Sequence, residues 1–237
     1  MTYSLAVVVL VWYLLYLVLQ LPIVPSPFAV VVNIFKIFQA KIEVHVLYSL
    51  GRILAGIVVS ILVGVPLGYL MGYFYNVNRV LSPLIYFTYP VPKLALLPVV
   101  MLLFGLGEAS KLIMIVLIIV FQIIITSRDA VRDIPQETYR SLQSLGASRL
   151  QMFTEIIIPA SLSEVLTATR LALGTAVSIL FFTETFGTEY GMGYFIMDSW
   201  MRVNYLDMYS GIIVLSFMGF LIFTAIDFTE KYLCSWR

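Results

Sequence analysis

Charge is scarce in this chain. Lys, Arg, Asp and Glu make up 11% of its 237 residues against 61% hydrophobic ones, and mean hydropathy is +1.01. A formal charge of +1 leaves no basic surface for nucleic acid. The single cysteine, Cys234, excludes an internal disulfide and is read as an idle thiol. The single histidine, His45, has no Cys/His partner set, so neither a metal site nor a nucleophilic dyad can be drawn, and it is read as a solvated or packed residue. The phosphate-cradling pattern GxxxxGK[ST] is absent, and no long polar segment exists to carry it. Paired carboxylates inside apolar runs are missing too, so the sequence offers no catalytic and no metal-binding constellation. No Lys or Arg precedes Lys36, so the N-terminus lacks the basic region of a secretory signal, and 3–21 reads as a retained first helix.

What the chain has in abundance is apolar length. Runs at 3–21, 50–74, 83–105, 111–127, 160–183 and 208–228 can each cross a hydrocarbon layer of roughly 30 Å. The expectation is an all-α, multi-pass membrane protein with about six transmembrane helices and both termini on one side. Positive charge sets the orientation. With cytoplasmic termini, the inner segments hold Arg79, Arg128, Arg132, Arg140, Arg149, Lys231 and Arg237. The outer ones hold Lys36, Lys41, Arg52, Lys111 and Arg202. Pro22, Pro25 and Pro27 end the first span, and 28–38 carries a helical apolar pattern. The stretch 189–207 mixes Met192, Tyr194, Phe195, Met197, Trp200 and Met201 with polar residues. It reads as an interfacial helix at the outer surface, serving either as a gate or as a static cap.

Small residues recur at every fourth position of the second run: Gly56, Ser60, Gly64, Gly68 and Gly72. That spacing makes one smooth helical stripe where another backbone can approach closely, and it is read as tight bundle packing. Pro66 in the same run is expected to bend it. Ala168, Ala172 and Ala176 repeat the device in the fifth run. Ionisable residues inside runs each need a reason. Lys93 lies among Pro90, Pro92 and Pro98; it is either a cationic contact for an anionic solute or a structural lysine bonding carbonyls that the prolines have freed. Arg170 lies about 16 Å beyond Pro159 along a helix and can reach back toward the inner surface. Thr183 and Glu184 close the fifth run, where they either line an outer mouth or end the span in water.

One substantial amphipathic insert breaks the apolar pattern: PQETYRSLQSLGASRLQMFTEIIIP, residues 135–159. Pro135 suits a first helical turn and Glu137 sits favourably at the positive helix end. Gly146 can adopt the left-handed conformation that ends a helix, and Ser148 can cap the next one. Pro159 is expected to interrupt the ladder before the fifth span. The reading is a short helix, a sharp Gly146-Ala147-Ser148 turn, and a second helix entering the membrane.

Gly146-Ala147-Ser148 followed by Phe153, Ile157 and Pro159 resembles the cytoplasmic loop of ABC importer permeases, EAA-x3-GA-…-F-xx-I-x-LP. LYSLGRILAGIVVSILVGVPLGYLMG (47–72), LALLPVVMLLFGLGEASK (94–111) and ATRLALGTA (168–176) are similar to the permeases serving sulfonates, taurine, nitrate and thiamine precursors. The likeness covers about Pro25 to Asp227. It implies a type I ABC importer permease fold in a prokaryotic plasma (inner) membrane. A single permease domain would span 1–237, with the coupling loop at about 128–159. It further implies a second permease copy in a homodimer, two cytoplasmic ATPase subunits that use ATP and Mg while this chain binds no cofactor, and an extracytoplasmic substrate-binding protein. Carried onto this sequence, the ATPase would dock on Glu137, Tyr139, Arg140, Leu142, Leu145, Gly146, Ala147 and Ser148, with Tyr139, Leu142 and Leu145 as the apolar surface. Arg140 stands where the motif has Glu, with Ser141 and Leu142 on its two Ala positions and Glu137 one turn earlier. Lys93, Thr183 and Glu184 would border the translocation pathway. Lys93 favours a small anion such as a sulfonate, taurine or nitrate; a thiamine or riboflavin precursor is the alternative. A self-sufficient channel or secondary transporter would instead need inverted halves or several ionisable groups in its spans, and neither is present. A membrane scaffold using the polar insert alone is the third possibility.

Overall fold

The computed structural model describes residues 2–234; Arg237, counted above with the inner charges, lies outside them. Among the described residues every regular element is helical: α1 Thr2–Leu19, α2 Pro27–Ile37, α3 Glu43–Tyr73, α4 Tyr75–Thr88, α5 Leu97–Phe104, α6 Glu108–Arg132, α7 Gln136–Ser144, α8 Arg149–Met152, α9 Ile158–Glu184, α10 Met192–Met201 and α11 Tyr205–Leu233. Inside hydrocarbon a helix is the one open-ended segment that pairs all its own backbone groups. Four helical runs are long and apolar enough to cross: Pro27–Tyr73, Glu108–Arg132, Arg149–Glu184 and Tyr205–Leu233. The pair Tyr75–Thr88 with Lys93–Phe104 is bent by 80°, and taken as one broken span it brings the number to five rather than the expected six. The first expected span, 3–21, holds only the shorter apolar stretch Ala6–Leu19 of α1.

The drawn spans differ from these in three further places. The segment expected between 28–38 and the second span is helix throughout, because no Gly or Pro occurs between Pro27 and Gly51. Ser26 caps this run by accepting from the Ala29 amide at 3.2 Å, and a π-helical turn at Phe38–Ile42 carries α2 into α3. Pro159 does not interrupt the fifth span; a π-helical turn at Phe153–Ile157 precedes it and the chain stays helical through Glu184. The third span, drawn as continuous over 83–105, breaks after Thr88 where Pro90 and Pro92 withhold amides.

The chain packs as two compact units, residues up to Arg52 with Leu180–Phe220, and Ile53–Ile179 with the residues from Leu221. In the second unit the glycine stripe of α3 lies against α6. A Cβ added at Gly64 would sit 2.9 Å from Ile123 Cγ2, and one added at Gly72 would sit 2.5 Å from Val131 Cβ. At Gly68 it would lie 2.5 Å from Ser127 Cβ and 2.6 Å from the Ile124 carbonyl oxygen. Gly56 meets Ile115 in the same way, and Ser60 is fully buried. The expected close approach is therefore present, and α6 is the helix that makes it. Ala168, Ala172 and Ala176 of α9 are buried as well. At the far end of that unit Arg170 of α9 pairs with Asp227 and Glu230 of α11, and Ser163 donates to Glu230 at 2.8 Å. Arg170 is thus held by two carboxylates rather than reaching alone to the surface.

The tight contact at Gly68 makes even alanine a large residue there. Gly68→Ala is expected to cost about 1–3 kcal/mol through overpacking, and Gly68→Leu more. Gly174 lies in α9 with nothing within 4 Å of its missing Cβ, so Gly174→Ala is expected to be neutral or slightly stabilising. Thermal unfolding of the purified variants in detergent checks this. Native-like midpoints for Gly68→Ala would show that α3 and α6 are not held by this contact.

Candidate functional site

The insert forms a cantilevered knob within the second unit. Helix α7 starts after Pro135 and ends on Gly146, whose φ of +77° is the left-handed conformation that the turn requires. The Gly146 amide bonds the Gln143 carbonyl at 2.9 Å, and the Ala147 amide the Leu142 carbonyl at 3.3 Å. Ser148 then opens α8 with a reciprocal capping box. Its amide donates to Gln151 Oε1 at 2.7 Å, and its hydroxyl accepts from the Gln151 amide at 3.4 Å.

The knob is fastened by its apolar side. Tyr139, Leu142, Ala147 and Phe153 pack on a core built from Tyr69, Val131, Ile134, Met152, Ile156, Ile157 and Val165. Tyr139 lies 6.0 Å from the Tyr73 ring, which in turn meets Phe153 edge-on at 5.2 Å. The Tyr139 hydroxyl donates to the Val131 carbonyl at 3.2 Å. Burial pushes that phenol up to about 12, so it stays a donor throughout the physiological range.

This arrangement sorts the residues singled out for docking. Tyr139 and Leu142 face inward and hold the knob to the spans. The exposed apolar surface is Leu145 with Leu150, 82% and 73% exposed. Leu150 carried no signal in the sequence, because an apolar residue one turn past a cap looks like any first-turn residue. Glu137, Arg140 and Ser148 are exposed.

The three residues set aside for a pathway fall in different units. Lys93 sits at the break before α5. Its ammonium donates to the Thr88 and Tyr89 carbonyls at 3.2 and 3.0 Å and lies 4.9 Å from the Phe121 ring centre. Thr183 and Glu184 belong to the other unit and are fully buried, so Glu184 does not end its span in water. The Glu184 carboxylate accepts from Arg52 Nη1 at 2.7 Å, from Ser49 Oγ at 2.8 Å and from the Gly193 amide at 2.9 Å. Arg52 also donates to the Tyr190 carbonyl at 2.7 Å, and His45 Nδ1 accepts from the Gly191 amide at 3.1 Å. His45 is therefore packed, among the rings of Tyr190, Tyr194 and Phe195. These bonds pin the turn before α10 onto the start of α3. Met192, Phe195, Ile196 and Ser199 of α10 are buried while Trp200 and Met201 are exposed, so α10 packs one face into its unit and leaves the other open.

Apolar spans, a broken helix pair and a short amphipathic helix fastened beside two span ends define the class: a multi-pass helical membrane protein with one amphipathic knob. The family model for binding-protein-dependent transport system inner membrane components matches residues 64–235, and the chain belongs to that family of multi-pass transport permeases. It is 32% identical over 199 residues to the taurine transport system permease protein TauC of Escherichia coli (strain K12), covering 84% of this chain and 72% of that one. It is 29% identical to the formylaminopyrimidine transport permease protein ThiX of Halalkalibacterium halodurans, covering 91% of this chain and 86% of that one. The fold is that of an ABC importer permease. An inward-facing structure of the MetNI methionine ABC transporter contains a chain that superposes with a TM-score of 0.71 at 18% identity, covering 80% of this chain and 94% of that one.

The Arg52–Glu184 pair is buried on both sides, 5% and 0% exposed. Glu184→Ala strands a guanidinium and is expected to cost about 3–5 kcal/mol. The double variant Arg52→Met/Glu184→Leu is expected to unfold at a higher temperature than Glu184→Ala, because a matched apolar pair leaves no charge uncompensated. Thermal unfolding of both in detergent makes the comparison, and equal midpoints would count against a buried-charge origin.

Proposed function

We propose that this chain is the membrane-spanning subunit of an ATP-driven importer for a small organic anion of the sulfonate or taurine type. Its similarity to the taurine permease TauC carries the reading. Nitrate fits the same charge. Two copies form the pathway, two ATPase subunits hydrolyse ATP with Mg on the cytoplasmic side, and an extracytoplasmic binding protein delivers the solute. The chain itself binds no cofactor, and its termini lie in the cytoplasm. Similarity to ThiX supports a second reading, a pyrimidine precursor of thiamine as the solute.

The ATPase docks on the knob. Leu145 and Leu150 supply apolar contact, Gly146-Ala147-Ser148 sets the shape, and Glu137 and Arg140 supply charge at the edge. Arg140 replaces the motif carboxylate, so the matching ATPase position takes a residue that accepts from a guanidinium. Because Tyr139 and Leu142 seat α7 on the ends of α3 and α6, a displacement of the knob moves both spans with it. Thr183, Glu184 and Lys93 border the pathway in this reading. The Lys93 ammonium, bound now only to carbonyls and rings, would exchange them for a solute anion.

Gly146→Val places a β-branched residue at φ +77° and is expected to strain the turn by about 1–3 kcal/mol. Membrane insertion should survive while ATPase co-purification falls at least several-fold. Gly146→Asn should lie between native and Val, because Asn tolerates the left-handed region. Native-like co-purification with Gly146→Val removes the docking assignment.

Uptake by the reconstituted complex, with the binding protein present, settles the solute. Competition by taurine but not by formylaminopyrimidine is the expected result, and the reverse selects the second reading. In the same assay Lys93→Met is expected to reduce uptake at unchanged complex yield. A joint fall in yield and uptake would leave Lys93 as a clamp on the helix break.

A further inference from the structure

A groove of about 600 Å³ opens beside α7 in the second unit. Three arginines line it from three separate elements: Arg132 at the last turn of α6, Arg140 on α7 and Arg149 at the first residue of α8. No carboxylate lines it. Among the described residues none of the three guanidiniums makes an ion pair. Asp133 and Glu137, beside Arg132 and Gln136 in sequence, are exposed and do not line the groove. Gln136 and Gln143 add amide donors to the lining, and Tyr73 and Phe74 add aromatic rings.

Like charges that converge against a low-dielectric wall repel, and the arrangement is stable when an anion sits among them. Its shape suits a phosphoryl group, which takes bidentate bonds from guanidinium forks. Tyr73 and Arg132 each close a run long and apolar enough to cross a membrane. A groove lined by arginines and aromatic rings at two such helix ends has the chemistry of the basic pockets that hold anionic headgroups beside interfacial aromatic side chains.

We propose that this three-arginine groove is a phosphoryl-anion site, filled by the headgroup of an anionic phospholipid packed under the α7 knob. The headgroup neutralises the arginines and ties the knob to the membrane surface. Leu145 and Leu150 do not line the groove, and of its three arginines Arg140 alone is also assigned to ATPase contact, so the test is made at Arg132.

The full-length protein, delipidated in a maltoside detergent, is titrated with phosphatidylglycerol, with phosphatidylcholine and with inorganic phosphate alone. Native mass spectrometry reads retained lipid, and thermal unfolding reads stabilisation. Phosphatidylglycerol is expected to be retained and to raise the unfolding midpoint, with phosphatidylcholine inert. Arg132→Gln should weaken phosphatidylglycerol binding about tenfold, as expected for one lost charge-assisted contact. Arg132→Lys should keep most of it. Both variants should match the native midpoint in lipid-free micelles, which separates lost binding from lost folding. Stabilisation by inorganic phosphate as large as that by the lipid upholds the anion site and makes soluble phosphate its source. Equal retention of the two lipids overturns the proposal, as does a phosphatidylglycerol effect that Arg132→Gln leaves intact. If instead Arg132→Gln abolishes ATPase co-purification while lipid binding is absent, a partner carboxylate fills the groove and the proposal fails.

Discussion

The contact of α3 with α6 is the constraint on which the second unit depends. Backbones come close enough that a single added carbon at Gly64, Gly68 or Gly72 would strike the facing helix. In lipid, where water does not drive helices together, such close van der Waals packing is what holds a bundle. The same contact brings Tyr69 and Tyr73 at one helix end beside Val131 and Ile134 at the other. Those residues make the floor on which Tyr139, Leu142 and Phe153 rest. The knob inherits its position from a seam of glycines that begins more than two helical turns away.

Scarce charges are spent on the breaks in the helices. Short α5 is bounded by two irregular turns, and a lysine closes each one. Lys93 bonds the carbonyls of Thr88 and Tyr89 before it. Lys111 bonds those of Leu106 and Gly107 after it, at 2.9 and 3.2 Å. Carbonyls released at a break inside a membrane cannot turn to water, and an ammonium with three donors satisfies two of them at once. Arg52 and Arg170 are held by carboxylates instead. Arg128, at the end of α6, pairs with Asp129 and reaches toward Ser82 of α4.

Family membership and this packing describe one mechanical object. In the proposed importer, the knob would pass events at a water-facing surface to the spans. Here the inward side of α7 is fused to the ends of two spans, while its tip is left free. The capping box at Ser148 and the π-helical turn after it let α8 run on into α9 across Pro159, so the knob continues into the apolar run Arg149–Glu184 as one helix.

Periodicity and composition were enough to read the helical class, the glycine stripe, the left-handed turn at Gly146 and the cap at Ser148. Each depends on neighbours a few residues apart, and local spacing records such features directly. The extent of the helices was misjudged at Pro159 and between residues 38 and 50, because a π-helical turn absorbs a proline or a change of register without leaving a mark in hydropathy. The partners of Arg52 and Lys111 were illegible for a different reason. Both side chains are buried, 5% and 1% exposed. Arg52 meets Glu184 across 132 residues of chain, a separation at which sequence spacing carries no signal. Which faces of α7 turn inward was likewise decided by tertiary packing: Tyr139, Leu142 and Leu145 look alike as apolar residues on one short helix. Only the floor provided by α3, α6 and α9 buries the first two and leaves the third in water.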